Sequence, residues 1–190
     1  MNKIKLGYAI CGAFCTFSKA IKQIEALVNL GYDVYPIFSE FAYKPDTRFY
    51  KAADYGAQVE KICGKKSIAT IFDAEPIGPK KMFDALIVAP CTGNTLSKLA
   101  LGITDSSVTM ASKAHLRNEK PLIIGVSSND ALSTTSKNIG ILLSRKNIYM
   151  VPFGQDDSQN KPRSMVCDFE KIPKTVEMAL NNQQIQPLVI

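Results

Sequence analysis

The stretch Asp84-Ala-Leu-Ile-Val-Ala-Pro-Cys-Thr-Gly-Asn-Thr-Leu-Ser-Lys-Leu-Ala-Leu-Gly-Ile-Thr-Asp105 decides the fold. Its first part, Asp84–Ala89, is an unbroken apolar run after a polar start, which is typical of a fully buried parallel strand. Pro90 is expected to end the hydrogen-bonded ladder. Apolar residues return at helical spacing from Leu96 onward. The stretch therefore predicts a strand, a polar turn and a helix.

The turn itself, Thr92-Gly93-Asn94-Thr95, is made of small polar residues. In open α/β sheets, ligands lie outside the carboxyl ends of the strands, where backbone N–H groups and the positive end of a helix dipole converge. Many turns of this kind connect a strand to a helix and bind nothing. The pattern alone therefore leaves two interpretations open, a ligand site and an ordinary connection.

Length and composition favour one domain over residues 1–190, because 190 residues with 46% apolar content suffice for a substantial core. The five cysteines form an odd set without CxxC spacing, which indicates neither a disulfide framework nor a zinc site. The apolar segment Leu6–Ile10 near the start is too short to span a membrane and has no cleavage site after it. We expect a cytoplasmic protein without a membrane partner.

The net charge of +6 raises the question of nucleic-acid binding. The lysines and arginines are spread thinly, and no basic stripe with interleaved aromatic residues is present. The sequence therefore disfavours a nucleic-acid partner, while anionic small molecules fit the positive surface.

The N-terminal segment predicts a first βα unit, with a strand over Ile4–Ile10, a turn over Cys11–Phe17 and a helix over Ser18–Leu30. A second strand follows over Asp33–Phe38. A helix N-terminus after a first strand suits a phosphate, with Thr16 or Ser18 as the N-cap. The polar residues of this turn that are candidates for a phosphate are Gly12, Thr16 and Ser18.

A dinucleotide fingerprint is absent from this first turn, since Gly12 stands alone and G-x-G-x-x-G does not occur. The second strand ends in Ser39 rather than in an acidic residue. Both observations argue against a nicotinamide-binding Rossmann domain in this chain. Ser39 is interpreted either as a plain strand terminus or as a ligand contact.

The segment 40–83 is less regular. A helix over Phe49–Ile62, a short strand over Ala69–Phe72 and a loop over Asp73–Lys81 are predicted. A further helix over Ser107–Asn118 contains His115, the only histidine, whose helical position favours a structural role.

A buried strand over Pro121–Val126 is followed by the polar residues Ser127-Ser128-Asn129-Asp130, which form a second rim on the same side of the sheet. Asp130 has two interpretations, a cap of a helix over Ala131–Ser144 or a substrate contact. The last strand is predicted over Asn147–Val151.

A long polar loop after this last strand contains Lys161 and Arg163. The two cations suit the binding of carboxylates, and a solvated loop is the other interpretation. The final helix, Ile172–Asn182, and the apolar tail Gln183–Ile190 are candidates for a contact between copies of the chain.

The pattern Ala89-Pro90-x-Thr92-x-Asn94-Thr95-x-x-Lys98-x-Ala100-x-Gly102-x-x-Asp105 resembles the signature of the flavoprotein family that includes the homo-oligomeric flavin-containing cysteine decarboxylases. The resemblance implies a Rossmann-like three-layer α/β sandwich, with a mainly parallel sheet flanked by helices, that binds FMN. It implies Asn94 and Asn129 as catalytic residues that orient the substrate or the flavin. The implied FMN contacts are Gly12, Thr16, Ser18, Ser39, Ala89, Pro90, Thr92, Asn94, Thr95 and Ser127.

Several positions depart from that family pattern. Family decarboxylases carry a histidine about eight residues before the residue that opens the central strand, whereas this chain reads Ala74-Glu-Pro-Ile-Gly78 there. Ser127-Ser-Asn-Asp130 replaces a Pro-x-Met-Asn motif, and Gly93 stands where alanine is common. The missing histidine disfavours cysteine decarboxylation.

The segments Pro152–Asp157 and Lys161–Ser164 narrow the resemblance to an oxidative branch of the family. This branch implies the oxidation of a dihydropyridine dicarboxylate in the mother-cell cytoplasm during spore formation, within a homo-oligomer. A separate A-type subunit then carries the NAD(P) domain. Two alternatives are a non-redox accessory subunit that completes the A-type subunit and a flavin-dependent decarboxylase. The implied contacts of the small dicarboxylate substrate are Lys98, Lys161 and Arg163.

Overall fold

A seven-stranded sheet forms the centre of the computed structural model, in which residues 3–43, 46 and 52–190 are described, residues 52 and 53 by their backbone alone. The strands are β1 (Lys5–Ile10), β2 (Asp33–Phe38), β3 (Ala85–Cys91), β4 (Leu122–Ser128), β5 (Ile148–Met150), β6 (Phe153–Gly154) and β7 (Met165–Cys167). The principal order is β2-β1-β3-β4-β7-β6.

The pairing is parallel from β2 through β1 and β3 to β4. The far edge of β4 is shared by two strands. Its first residues pair in parallel with β5, and Ser127 and Ser128 pair antiparallel with β7. Strand β6 then pairs antiparallel with β7. The prediction of a mainly parallel sheet is confirmed.

The helices are α1 (Phe17–Asn29), α2 (Glu40–Tyr43), α3 (Ala52–Cys63), α4 (Ile71–Ala74), α5 (Gly93–Leu101), α6 (Ser107–Leu116), α7 (Ser136–Leu143) and α8 (Ile172–Leu180). Helix α1 packs with α8, and α5 packs with both α6 and α7. Right-handed crossovers from β1 to β2 and from β3 to β4 run in opposite directions, which places α1 and the pair α5 and α6 on opposite faces. The predicted Rossmann-like α/β sandwich is therefore confirmed. Among the described residues, no helix has the length and apolar character that a membrane crossing requires.

The chain direction reverses at β1, because β1 connects to β2 on one side while β3 lies on its other side. In a parallel sheet, this switch of direction opens a crevice at the carboxyl ends of the two central strands. The residues that leave β1 and β3 there are Cys11 and Thr92. The fold thus places the first turn beside the central turn.

The sheet is held by apolar burial on both of its faces. All residues of β3 and β4 are buried, and the buried apolar side chains form one continuous cluster. Burial on both faces explains why these strands read as apolar runs rather than as alternating patterns.

The prediction that Pro90 ends the ladder was wrong, since β3 continues to Cys91. The register with β4 shifts between Val88 and Cys91, so the strand passes Pro90, which has no N–H, and pairs again afterwards. The Pro90 carbonyl also accepts a hydrogen bond of 3.3 Å from the backbone N–H of Cys11. The end of β1 is thereby tied to the central strand.

The predicted strand Ala69–Phe72 was also wrong. Ile68 forms a single bridge with Ile37, and the chain then enters α4, whose N-cap Thr70 accepts a hydrogen bond of 3.1 Å from the backbone N–H of Asp73. A short apolar run does not separate strand from helix, and the cap decides here. The helix predicted over Phe49–Ile62 is found over Ala52–Cys63, and residues 49–51 lie outside the described residues.

The C-terminal third contains more strand than the pattern predicted. Strand β5 is not the last, because β6 and β7 flank the long polar loop and turn it into the tip of a hairpin. The apolar tail is not free either, since the backbone of Val189 bridges to Phe153. Strands of two or three residues carry too little periodicity to be recognised from sequence.

His115 is buried on α6, as its helical position suggested, with 1% of its surface exposed. Its Nε2 lies 3.0 Å from the carbonyl oxygen of Pro121 at the start of β4. Burial lowers the pKa of His115 from its ordinary 6.5 to about 4, against a smaller opposing effect of this hydrogen bond. His115 therefore packs as a neutral side chain.

We predict that the free energy of unfolding falls between about pH 6.5 and pH 4 because of this histidine. The unfolded chain binds the His115 proton below 6.5, whereas the folded chain binds it only near 4, so the loss reaches at most about 3 kcal/mol. Urea unfolding across this pH range should show a flatter profile for His115→Gln than for the unsubstituted chain. The exposed Lys113→Gln on the same helix should leave the profile unchanged, and parallel profiles for His115→Gln and the unsubstituted chain would contradict the assignment.

Candidate functional site

Two adjoining cavities open at the carboxyl ends of β1 and β3. The larger, here called the hairpin cavity, has a volume of about 740 Å³ and lies between the first turn and the β6–β7 hairpin. The smaller, here called the helix cavity, has a volume of about 460 Å³ and lies at the N-termini of α5 and α6. Gly12, Phe14 and Thr92 line both cavities. The two volumes therefore meet at the switch point of the sheet.

Two helix N-termini face the helix cavity. Thr92 is the N-cap of α5 and accepts a hydrogen bond of 3.4 Å from the backbone N–H of Thr95. Ser106 is the N-cap of α6 and forms a reciprocal capping box with Thr109. Because the positive ends of two helix dipoles meet here, the helix cavity suits an anionic group such as a phosphate.

Ser39 supplies a free hydroxyl to the helix cavity. Its side chain is 8% exposed, and its Oγ has no hydrogen-bond partner within the part of the chain that the structure describes. A buried hydroxyl without a partner costs about 1–3 kcal/mol. The residue lines the helix cavity, so a bound acceptor would remove this cost.

Lys98 also lines the helix cavity, but its charge is already paired. Its ammonium nitrogen donates to both carboxylate oxygens of Asp105 at 2.8 Å. The hydrogen bond from Lys98 lowers the pKa of the Asp105 carboxyl, so the pair is charged at neutral pH. A ligand contact of Lys98 would have to compete with Asp105.

The Thr95 hydroxyl donates to the thiol of Cys11 at 3.3 Å and is therefore used within the protein. A hydrogen bond from the Cys91 thiol lowers the pKa of Cys11, with Thr95 acting in the same direction against burial. Burial raises the pKa of Cys91. Cys11 lines the helix cavity, although no pattern in the sequence pointed to a functional role at this position.

The first turn supplies backbone and small side chains to the hairpin cavity. Thr16 occupies the N-cap position of α1, but its hydroxyl makes no capping bond and donates instead to the carbonyl oxygen of Ala13 at 2.8 Å. Ser18 is exposed and lies outside the lining of both cavities. Neither side chain caps α1 as the sequence had suggested.

The β6–β7 hairpin closes the other side of the hairpin cavity. Because β7 pairs with Ser127 and Ser128 of β4, the tip of the hairpin brings Lys161 and Asp156 to the cavity. Their side chains form an ion pair of 3.3 Å. Arg163 is exposed, lies outside the cavity lining and accepts through its backbone oxygen from the Leu132 N–H at 3.0 Å.

Asp130 does not cap a helix, because the residues after it form turns and α7 begins only at Ser136. Its carboxylate accepts hydrogen bonds from the hydroxyl of Ser128 and, at 2.8 Å, from the hydroxyl of Thr135. These bonds, the Ser128 bond first, lower the pKa of the Asp130 carboxyl. The predicted alternative of a helix cap is thus wrong, and the carboxylate lines the hairpin cavity.

Gly93 is required by this cluster. A Cβ atom at residue 93 would lie 2.7 Å from Oδ1 of Asp130 and 2.7 Å from Oγ of Ser128. The absence of a side chain therefore lets the Asp130 carboxylate approach the first turn of α5. This approach gives a physical reason for glycine at the position where the resembled family commonly has alanine.

The structure brings most of the predicted site residues to the two cavities. Ala89 and Pro90 lie within β3, where they are buried behind the lining. Ser18 and Arg163 also lie outside both linings. The predicted residues that line one or both cavities are Gly12, Thr16, Ser39, Thr92, Asn94, Thr95, Lys98, Ser127, Asn129 and Lys161.

Sequence comparison identifies relatives over nearly the whole chain. The model of the family described as Flavoprotein matches residues 1–181. The B-type subunit of dipicolinate synthase from Bacillus subtilis (strain 168) is 43% identical over 186 residues, which cover 98% of this chain and 93% of that protein.

Comparison of folds gives the same relatives. The B-type subunit of dipicolinate synthase from Bacillus halodurans superposes with a TM-score of 0.91 at 41% identity, with 100% of this chain and 98% of that chain covered. AnUbiX (PadA1), solved in complex with FMN and dimethylallyl pyrophosphate, superposes with a TM-score of 0.64 at 20% identity, with 80% and 78% covered. At this lower identity the likeness concerns the fold alone. Taken with the match of the family model to residues 1–181, these similarities show that the chain belongs to the Flavoprotein family.

Proposed function

We propose that this chain is the FMN-binding B-type subunit of a dipicolinate synthase. Together with an A-type subunit, it would oxidise a dihydrodipicolinate precursor to pyridine-2,6-dicarboxylate during sporulation. The observation that carries the proposal is the helix cavity, where two helix N-termini and the unpaired Ser39 hydroxyl suit a phosphate next to a second, larger cavity. The similarity to the dipicolinate synthase relative from Bacillus subtilis supports the choice of substrate.

The residues of the two cavities fit FMN. Ser39, Asn94 and the N-terminus of α5 would hold the phosphate end in the helix cavity. The flavin ring would extend past Gly12 and Thr92 into the hairpin cavity. The AnUbiX neighbour, which was solved with FMN, supports the same cofactor for this fold.

FMN, when bound, supplies a two-electron acceptor for the hydride that leaves the dihydropyridine ring. The chain's own residues supply binding and orientation. Asn129 presents an amide to the hairpin cavity, and Lys161 presents an ammonium group for a substrate carboxylate. Closing the β6–β7 hairpin over the cavity would keep water from the reacting ring.

The nicotinamide cofactor is assigned to the A-type partner, since the first turn of this chain lacks G-x-G-x-x-G. A decarboxylase is disfavoured because neither cavity lining contains a histidine and His115, the chain's only one, is buried against Pro121. We place the protein in the mother-cell cytoplasm as a single-domain subunit of a homo-oligomer. The exposed side chains of Val189 and Ile190 are proposed contacts between its copies.

We predict that the purified chain binds FMN and that Ser39→Ala weakens this binding about tenfold, the value of one hydrogen bond to a charged group. Asn94→Ala should weaken it by a similar factor. Quenching of flavin fluorescence during titration of the flavin-free protein measures both affinities.

The matched control for Ser39→Ala is Ser136→Ala, an exposed serine on α7 whose hydroxyl donates to the Ser133 carbonyl. Its FMN affinity should equal that of the unsubstituted chain. If the unsubstituted chain does not bind FMN but still activates the A-type subunit, the accessory-subunit alternative replaces the flavoprotein proposal.

We predict that dipicolinate forms only when this chain and an A-type subunit are mixed, because the FMN and NAD(P) sites lie on different chains. Lys161→Ala should raise KM about tenfold by removing a carboxylate contact, whereas Arg163→Ala should raise it less, since Arg163 lies outside the cavity lining. Absorbance of the pyridine product gives the rates. Equal KM values for all three proteins would remove Lys161 from the substrate site.

A further inference from the structure

The hairpin cavity contains charges of both signs, which come from separate segments of the chain. Lys19 reaches it from α1, Lys161 from the tip of the hairpin and Asp130 from the turn after β4. Lys19 was not identified from the sequence. Two ammonium groups suit two carboxylates of one ligand, but the fixed carboxylate of Asp130 requires its own explanation.

The two lysines are available for a ligand. None of the ion pairs among the described residues includes Lys19. Lys161 is paired with Asp156 at 3.3 Å, but the two side chains are 54% and 33% exposed. An exposed pair of this kind contributes little free energy, so a ligand carboxylate can compete with Asp156 for Lys161.

Asp130, in contrast, is held in one position. Two hydroxyl donors, from Ser128 and Thr135, fix its carboxylate, and they leave about half of its acceptor sites unused. Ion pairs within the described part of the chain do not include it. The hydroxyl of Ser128, and next that of Thr135, keeps the pKa of this carboxyl low, so Asp130 is an anion at neutral pH.

A fixed anion in a cavity for a dianion costs binding energy unless the ligand presents a hydrogen-bond donor to it. A six-membered nitrogen ring with carboxylates at both neighbouring carbons has such a donor whenever its nitrogen is protonated. The nitrogen then lies between the two carboxylates. Asp130 together with two lysines therefore matches this ligand and repels a plain dicarboxylate.

We propose that Asp130 is the specificity-determining residue of the hairpin cavity: its carboxylate accepts the N–H of a protonated ring nitrogen, while Lys19 and Lys161 bind the carboxylates on either side. The inference rests on the proposed function, because it takes the substrate to be a cyclic dicarboxylate. It adds to that function the group that separates nitrogen rings from carbocyclic dicarboxylates.

Two probes of matched shape test the proposal. Piperidine-2,6-dicarboxylate in its cis form carries a protonated ring nitrogen between its carboxylates at pH 7, and cis-cyclohexane-1,3-dicarboxylate carries a CH2 group there. Calorimetric titration of the full chain, with and without FMN, should give at least about tenfold tighter binding of the piperidine compound.

The variants separate the roles of the three residues. Asp130→Asn keeps the shape of the side chain and should reduce the affinity ratio of the two probes to about one. Lys19→Met and Lys161→Met should weaken both probes alike, by about tenfold, and preserve the ratio. Asp157→Asn, on the same hairpin but outside the cavity lining, is the matched control and should change neither affinity.

Equal affinities of the two probes for the unsubstituted chain overturn the proposal without any variant, so it stays testable even if Asp130→Asn fails to fold. An unchanged ratio in a folded Asp130→Asn protein overturns it as well. If FMN binds and neither probe does, the cavity is not the dicarboxylate site, although the flavin proposal stands. Absence of FMN binding contradicts the proposed function separately, because the probe ratio is also measured without FMN.

Discussion

The pairing of β1 with β3 is the interaction on which the rest of the structure depends. It places two strands that are far apart in sequence side by side, in parallel, at the centre of a buried sheet. The chain reverses its direction of winding at this pair, so the crossover helices leave an opening at its carboxyl end. The Cys11 N–H bond to Pro90 extends the pairing to the edge of that opening. Both cavities therefore exist because β1 lies beside β3.

Hydrogen bonds within the protein decide which polar groups at this opening remain available. Thr16, Thr95 and Lys98 resemble ligand contacts by residue type, yet each has a partner in the protein. Short polar side chains at turns compete with ligands through such local bonds. The Ser39 hydroxyl has no such partner within the described part of the chain, and Lys161 is held only by an exposed pair. Availability, rather than residue type, distinguishes a candidate contact from a structural one.

The fold was predictable where a pattern was long and the site where it was local. The apolar run before Pro90 and the helical spacing after Thr92 predicted β3 and α5, because burial on both faces of a strand and on one face of a helix leaves a direct signal. The strand predicted over Ala69–Phe72 was wrong, since four residues carry no period and the cap at Thr70 starts a helix. Lys19 went unnoticed because nothing in a helical lysine indicates which cavity it reaches.

The sequence by itself determined the α/β class, the parallel strands and the polar rims at their ends, since these follow from local apolar periodicity and from turn chemistry. Only the tertiary structure decided that the β6–β7 hairpin pairs with the end of β4 and that Asp130 binds two hydroxyls above Gly93. These contacts join residues whose separation in sequence leaves no periodic signal. Their geometry depends on strand register and on the absence of one Cβ atom, which appear only when the chain is folded.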